Sequence, residues 1–155
     1  MHKLKLYLDT TILNFAFADD APKDKEDTLK FFKQIDRFEV SISEVVLREI
    51  SLCEVKKRER LNSLWQRHDL NVLEFDVEAQ ELAEKYIKSG IIPVKYRDDA
   101  SHIAIATVNN FDAVLSWNFQ HIVKMKTKRE VVAINLIEGY KPIDIYTPGE
   151  VVEDV

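Results

Sequence analysis

A chain of 155 residues that is 46% hydrophobic and 32% charged is long enough to bury a core and too apolar to be disordered, so we expect one domain over residues 1–155. Three Gly and four Pro argue against a loop-rich β fold, and the net charge of −5 gives no overall positive field toward nucleic acid. The single cysteine excludes an internal disulfide and a thiolate metal site. No apolar run has the length of a signal peptide core or a membrane span, which favours a cytoplasmic protein.

Strand and helix patterns alternate along the chain. Leucines at alternate positions over residues 4–8 predict a first strand, and Thr10 or Thr11 is placed to cap a short helix after it. Residues 19–25 have the composition of a loop, which is followed by helical spacing over residues 27–35. Further helices are predicted over residues 54–67, 76–90 and 98–110, and further strands over residues 38–43, 72–75, 113–117 and 131–135.

This alternation predicts an α/β fold. Strands that alternate with helices need crossover connections, which indicates a mostly parallel central sheet with helices on both faces, a three-layer sandwich. Ligands of such sheets bind beyond the carboxyl ends of the strands. Asp9, at the end of the first strand, and Asn118, just past the strand over residues 113–117, fall at this edge.

Several acidic residues at strand ends and helix starts are candidate functional groups. Asp9 is either a helix cap or the first ligand of a metal site. Ser41 and Glu44 have the spacing of a capping box, and the same segment contains Glu49, five residues after Glu44 and therefore on a different face. Asp98 and Asp99 begin a helix that is apolar on more than one side, where the helix dipole alone would favour either acid.

Four segments, in this order and spacing, resemble the PIN-domain nucleases and among them the small VapC-like toxin ribonucleases. They are LYLDTTILN (6–14), VSISEVVLREI (40–50), DDASHIAIATVNNFDAVLSWNFQHI (98–122) and, more loosely, IYTPGEVVE (145–153). The resemblance covers nearly the whole chain and implies a single PIN-like domain. It also implies a metal-dependent endoribonuclease that hydrolyses phosphodiester bonds in RNA, the toxin of a toxin–antitoxin pair, with an antitoxin partner and a homodimeric assembly.

The same resemblance assigns the metal ligands to Asp9, Glu49 and Asp99, with Asn118 as a fourth catalytic position. Carboxylates that share a pocket repel one another unless a cation neutralises them, and hard oxygen ligands suit Mg²⁺ or Mn²⁺. Such an ion would polarise a phosphoryl oxygen and activate a water for attack on phosphorus. The four histidines are dispersed along the sequence and offer no zinc cluster.

Two more residues are expected to support these ligands. Thr11 would steady Asp9, and Asp98 adjoins Asp99 and is the alternative third ligand. Haloacid-dehalogenase-type phosphatases also have an aspartate at the end of the first strand, but they need a second aspartate two positions later. Thr11 stands at that position, which weakens this alternative. Because Asn118 is neutral, the site holds three carboxylates, and the number of bound ions, one or two, stays open. A catalytically idle PIN fold that acts as an RNA- or protein-binding module is the alternative function.

Contacts to RNA are expected directly after Asn118. The run KMKTKR over residues 124–129 has the charge to contact phosphates, and aromatic side chains, Phe119 among them, could stack on unpaired bases. The predicted RNA-binding residues are Lys124, Lys126, Lys128, Arg129, Trp117 and His121.

Overall fold

The computed structural model describes residues 2–153, which form one five-stranded sheet and seven α-helices. The strands are β1 (Lys5–Leu8), β2 (Glu39–Ser43), β3 (Asn71–Leu73), β4 (Ala113–Leu115) and β5 (Asp144–Tyr146). The helices are α1 (Thr10–Phe15), α2 (Pro22–Lys33), α3 (Glu44–Ser51), α4 (Val55–Arg67), α5 (Val77–Lys88), α6 (Arg97–Val108) and α7 (Met125–Ile137). Within this part of the chain no helix is long and apolar enough to cross a bilayer.

All strand pairs are parallel, and the order in the sheet is β3-β2-β1-β4-β5. The chain starts at β1 and adds β2 and then β3 on one side of it. It then returns past β1 and adds β4 and β5 on the other side. With right-handed crossovers this reversal places α1–α4 on one face of the sheet and α5–α7 on the other. The packing agrees, since α1 contacts α2 and α4, while α5 contacts α6 and α7. The predicted α/β fold with a parallel sheet between two helical layers is confirmed.

The central strand and one helix are buried on all sides. Leu6, Tyr7 and Leu8 of β1 are at most 1% exposed, which explains a continuous apolar run in place of the alternation of a half-exposed strand. Every residue of α6 from 100 to 107 is buried, as its broad apolar pattern predicts. These two elements form the middle of the core, and acidic residues lie where β1 ends and where α6 begins, at the same edge of the sheet.

One predicted strand is wrong. Residues 131–135 lie inside α7, and the fifth strand is formed by Asp144–Tyr146. Thr127, Val131 and Asn135 are the buried positions of α7, which is the spacing of a helix and not of a strand. The β-branched valines at 131 and 132 suggested a strand, but the buried positions are four residues apart, which is the period of a helix.

Three helix starts also differ from the predictions. Asp9, not Thr10 or Thr11, is the residue before α1. Residues 22–25, predicted as loop, belong to α2, which begins at Pro22 because a proline at the first helical position loses no hydrogen bond. Ser41 lies within β2, and Ser43 caps α3 by accepting a hydrogen bond from the Val45 amide.

Candidate active site

The direction of strand addition reverses between β1 and β4, and sheets of this kind bind ligands beyond the carboxyl ends of the strands at such a point. Asp9 follows β1 directly and is 2% exposed. Its carboxylate accepts hydrogen bonds from Thr11 Oγ1 (2.5 Å) and from the Ser116 hydroxyl. Its side chain makes no capping bond to α1, so the helix-cap interpretation of Asp9 is not supported.

The loop after β4 is fastened to Asp9 through the two hydroxyl groups. Thr11 Oγ1 accepts a hydrogen bond from the Trp117 amide at 2.8 Å, and Ser116 Oγ accepts one from the Asn118 amide at 2.9 Å. Each hydroxyl therefore receives a backbone N–H from the loop and donates its own hydrogen to Asp9. Thr11, which we expected to support Asp9, donates a hydrogen bond to it, and Ser116, directly after β4, does the same.

Glu49 reaches the same region from α3. Its Oε1 accepts a hydrogen bond from Thr10 Oγ1 at 2.7 Å and lies 2.7 Å from His102 Nε2. His102, on α6, is 2% exposed, and its Nδ1 lies 2.6 Å from the Tyr7 hydroxyl. That hydroxyl is also 2.7 Å from Ser43 Oγ, so a buried chain of polar groups joins β1, α3 and α6.

The two aspartates at the start of α6 separate clearly. Asp99 is half-buried, and it lies close enough to the Asn118 side chain, Asp9 and Glu49 for these groups to act on its pKa. Asp98 instead pairs with Arg48 near the surface. The structure therefore brings Asp99 into the site and leaves Asp98 at its rim.

The electrostatics are those of an acidic cluster in which His102 is the main group that favours ionisation. Burial raises the pKa of Asp9, against the opposing effects of the charge of His102 and of the hydrogen bonds from Ser116 and Thr11. Burial also raises the pKa of Asp99 to about 6, and the negative charges of Asp9 and Glu49 add to it. Burial acts in the same direction on Glu49, but the hydrogen bond and charge of His102 outweigh it and the pKa of Glu49 is lowered. A cation at this cluster would relieve the cost of ionising Asp9 and Asp99.

The donor set fits a hard divalent cation. Asp9, Glu49 and Asp99 offer carboxylate oxygens, and Asn118 adds an amide at the same edge. Within residues 2–153 no three Asp, Glu, His or Cys side chains stand together closely enough to ligate one ion directly. Mg²⁺ takes one or two carboxylates and keeps several waters, so it does not need such a group. The cluster fits an ion bound by one or two acids directly and by the others through water.

Two solved structures share this architecture. One is VapBC2 from Rickettsia felis bound to a DNA fragment from its promoter; 92% of our chain aligns with 97% of the matched chain at a TM-score of 0.55 and 16% identity. The other is DNA-bound VapBC from Salmonella typhimurium, where 94% of our chain aligns with 98% of the matched chain at a TM-score of 0.57 and 19% identity. The chain has a PIN-like fold. No protein-family model and no curated protein matches the sequence.

The predicted RNA-binding residues of this PIN-like fold divide by exposure. Lys124, Lys126 and Arg129 are exposed at the start of α7, and Lys128 is half-buried. Trp117 is only 7% exposed and donates Nε1–H to Thr28 Oγ1, and His121 is 8% exposed with its ring 4.0 Å from that of Tyr96. Neither ring is open to a base. Phe119, which is 56% exposed beside Trp117, is the aromatic side chain available for stacking.

Three residues of the site were missed from the sequence. His102 and Ser116 lie within apolar stretches that indicate only burial, and Tyr7 lies within the first strand. The available signal was polarity at positions that the period assigns to the core, since a buried polar side chain must find a partner. His102 is also three residues after Asp99, which puts both on one face of α6.

Proposed function

We propose that this chain is a cytoplasmic, Mg²⁺- or Mn²⁺-dependent endoribonuclease that hydrolyses phosphodiester bonds in RNA. The observation that carries the proposal is the placement of Asp9, Glu49 and Asp99 together beyond the ends of β1 and β4, with the pKa values of both aspartates raised. Carboxylates collected at such a cost in desolvation are typical of functional sites. Hard oxygen donors at this edge suit phosphoryl transfer assisted by a divalent cation.

The side chains take separate roles in this reaction. Asp9 and Asp99 would hold the cation, which when bound supplies Lewis-acid polarisation of a phosphoryl oxygen and lowers the pKa of a water. Glu49 would orient the attacking water or bind the ion through water. Asn118, whose Oδ1 accepts from the Gln120 and His121 amides, has its amide N–H groups free to donate to Asp99 and to a phosphate oxygen. Thr11 and Ser116 hold Asp9 in place.

Single-stranded RNA is the substrate that the surface supports best. Phe119 presents an exposed ring one residue from Asn118, and aromatic rings stack on unpaired bases of any sequence. Lys124, Lys126 and Arg129 follow on the first turns of α7 and supply positive charge for phosphates. This local basic surface offsets the net charge of −5.

The likeness to two VapBC structures supports a toxin role as well. We propose that the chain pairs with an antitoxin protein and forms a homodimer. Induced expression in a bacterial host should arrest growth, and Asp99→Asn should relieve the arrest. Growth that is equally impaired by both proteins would refute ribonuclease toxicity.

The direct test is cleavage of a labelled single-stranded RNA by chelator-treated protein with and without Mn²⁺. We expect cleavage only with the ion and a loss of roughly a hundredfold or more in Asp99→Asn. Asp98→Asn is the matched control, because Asp98 pairs with Arg48 at the rim, and it should cleave like the wild type. Cleavage that persists in chelator, or equal activity of wild type and Asp99→Asn, would overturn the proposal.

A second candidate is a catalytically idle fold that binds RNA or protein. It is favoured by the neutral Asn118 at the fourth position of the site and by the net charge of −5. Such a protein would bind single-stranded RNA equally well with Mn²⁺ and with chelator, and would leave the RNA intact. The cleavage assay therefore separates the two functions.

A further inference from the structure

His102 is a buried imidazole to which the proposed reaction assigns no part. It is 2% exposed, yet both ring nitrogens have partners: Tyr7 at Nδ1 and Glu49 at Nε2. The charged groups that act on it are the carboxylates of Glu49, Asp9 and Asp99. Any buried imidazole needs hydrogen-bond partners, but one partner of His102 is a carboxylate of the candidate site.

The donors and acceptors of this polar chain can be arranged in one consistent direction. Ser43 Oγ accepts from the Val45 amide at 3.2 Å, so its own hydrogen is available for the Tyr7 oxygen. In the neutral ring the Tyr7 hydroxyl then donates to His102 Nδ1, and Nε2–H donates to Glu49 Oε1. Because an ionised carboxylate can only accept, Nε2 must carry the hydrogen, whether the ring is neutral or charged.

This arrangement determines how Glu49 is presented. Both hydrogen bonds to the Glu49 carboxylate go to Oε1, one from Thr10 and one from His102. They leave Oε2 for a water or an ion. His102 also lies on the same face of α6 as Asp99, so its bond across to α3 ties the position of Glu49 to that of Asp99.

We propose that His102 is a positioning residue of the cation site: it orients the Glu49 carboxylate and holds it at a set separation from Asp99. The inference rests on the proposed function, since it concerns how the same acids receive the ion. Partners that orient metal ligands in this way typically change metal affinity by about 10–100-fold when they are removed.

Two near-isosteric variants separate this role from packing. The side-chain amide of His102→Gln reaches the position of Nε2 and can still donate to Glu49, whereas that of His102→Asn reaches the position of Nδ1 and cannot. We expect the Mn²⁺ dissociation constant, from the electron paramagnetic resonance signal of free Mn²⁺, to rise about tenfold or more in His102→Asn and to stay within about threefold of wild type in His102→Gln. Equal Mn²⁺ affinity in both variants and wild type would overturn the inference and leave the proposed function intact.

A third variant applies if both substitutions at 102 prevent folding. Tyr7→Phe keeps the imidazole and removes only the hydroxyl that is hydrogen-bonded to Nδ1. We expect it to weaken Mn²⁺ binding severalfold while it keeps a cooperative thermal unfolding transition. Wild-type Mn²⁺ affinity in Tyr7→Phe would count against the chain from Ser43 to Glu49.

The orientation of the ring can be measured without any metal. Long-range ¹H–¹⁵N spectra of chelator-treated protein should show His102 with a hydrogen on Nε2, and Glu49→Ala should shift that nitrogen resonance. A ring with hydrogen on Nδ1 alone would overturn the inference. Failure of wild type to bind Mn²⁺ would overturn the proposed function and with it the role of His102 in presenting Glu49 to an ion.

Discussion

Asp99→Asn should make the metal-free protein more stable at neutral pH. The Asp99 carboxyl has an ordinary pKa of 3.8 and a pKa of about 6 in the folded chain, chiefly because it is desolvated. A carboxyl whose pKa is raised by folding binds its proton more tightly in the native state. Stability therefore falls as pH rises from about 4 to about 6, and the whole penalty is present above pH 6. Asparagine has the same shape and cannot ionise.

The size of the effect follows from the two pKa values. They differ by about 2, and each step of one in pKa corresponds to about 1.4 kcal/mol, so the unscreened penalty is about 3 kcal/mol. Asp99 is only half-buried, and water screens part of this interaction, which reduces our expectation to about 1–2 kcal/mol. At pH 5 the advantage of the variant should shrink by about half, because the folded wild type is then mostly protonated.

Urea denaturation at pH 7.5 and pH 5 in chelator measures both values for wild type, Asp99→Asn and Asp98→Asn. Asp98→Asn should follow the wild type within about 0.5 kcal/mol at either pH, because a surface ion pair contributes little. Millimolar Mn²⁺ should then reverse the order: a ligand present at a hundred times its Kd stabilises the native state by about 2.7 kcal/mol, and the variant should gain much less.

Two results would refute this reasoning. If Asp99→Asn destabilised the protein equally at pH 7.5 and pH 5, the carboxylate would be making a favourable contact and not suffering desolvation and repulsion. If Asp98→Asn lost the Mn²⁺ response and Asp99→Asn kept it, the third acid of the site would be the neighbouring residue.

Three more predictions address the surroundings of the site. Ser116→Ala removes a hydroxyl that donates to the buried Asp9, and it should lower the free energy of unfolding by about 1–3 kcal/mol in urea denaturation at pH 7.5. An unchanged free energy of unfolding would mean that the hydrogen bond from Thr11 is sufficient for Asp9. Tyr86→Phe leaves the buried Asn135 Oδ1 without its 2.5 Å donor and should lower the free energy of unfolding by about 1–3 kcal/mol without changing Mn²⁺ affinity; an unchanged stability would contradict it. Phe119→Ala should weaken single-stranded RNA binding in fluorescence anisotropy by about 1–3 kcal/mol and leave thermal stability as it is, and equal loss on duplex RNA would argue against stacking.

The fold was predictable because its main signals are local. Apolar runs the length of one strand alternate with helical spacing, and that alternation permits few arrangements other than a parallel sheet between helices. The prediction failed at residues 131–135, where β-branched residues face the core at helical intervals. The strand propensity of five residues is a weak signal, and the helical period of the buried positions becomes visible only over two or three turns.

Prediction of the site was limited by what spacing can show. Asp9 and Asn118 could be placed because they follow strands that end at one edge. The preference for Asp99 over Asp98 rested on the resemblance and not on spacing, because adjacent residues of a helix point about 100° apart. The ion pair with Arg48 shows that Asp98 faces outward. His102 was missed for a related reason: its partners are 53 and 95 residues away in sequence, and no local pattern connects them.

The central place of β1 bears on how the protein is synthesised. Leu6 pairs with Val40 on one side and with Ala113 on the other, so β1 can pair with β2 well before its second neighbour, β4, has been synthesised. At roughly 5–20 residues per second, one edge of β1 stays unpaired for several seconds after β2 has docked, and the nascent chain is then a natural client for a chaperone. Asp9 meets Ser116, 107 residues downstream, only at the end of this interval. A nascent chain that stops before Ser116 therefore lacks the loop that holds Asp9, and the candidate site is assembled only after β4 has been made.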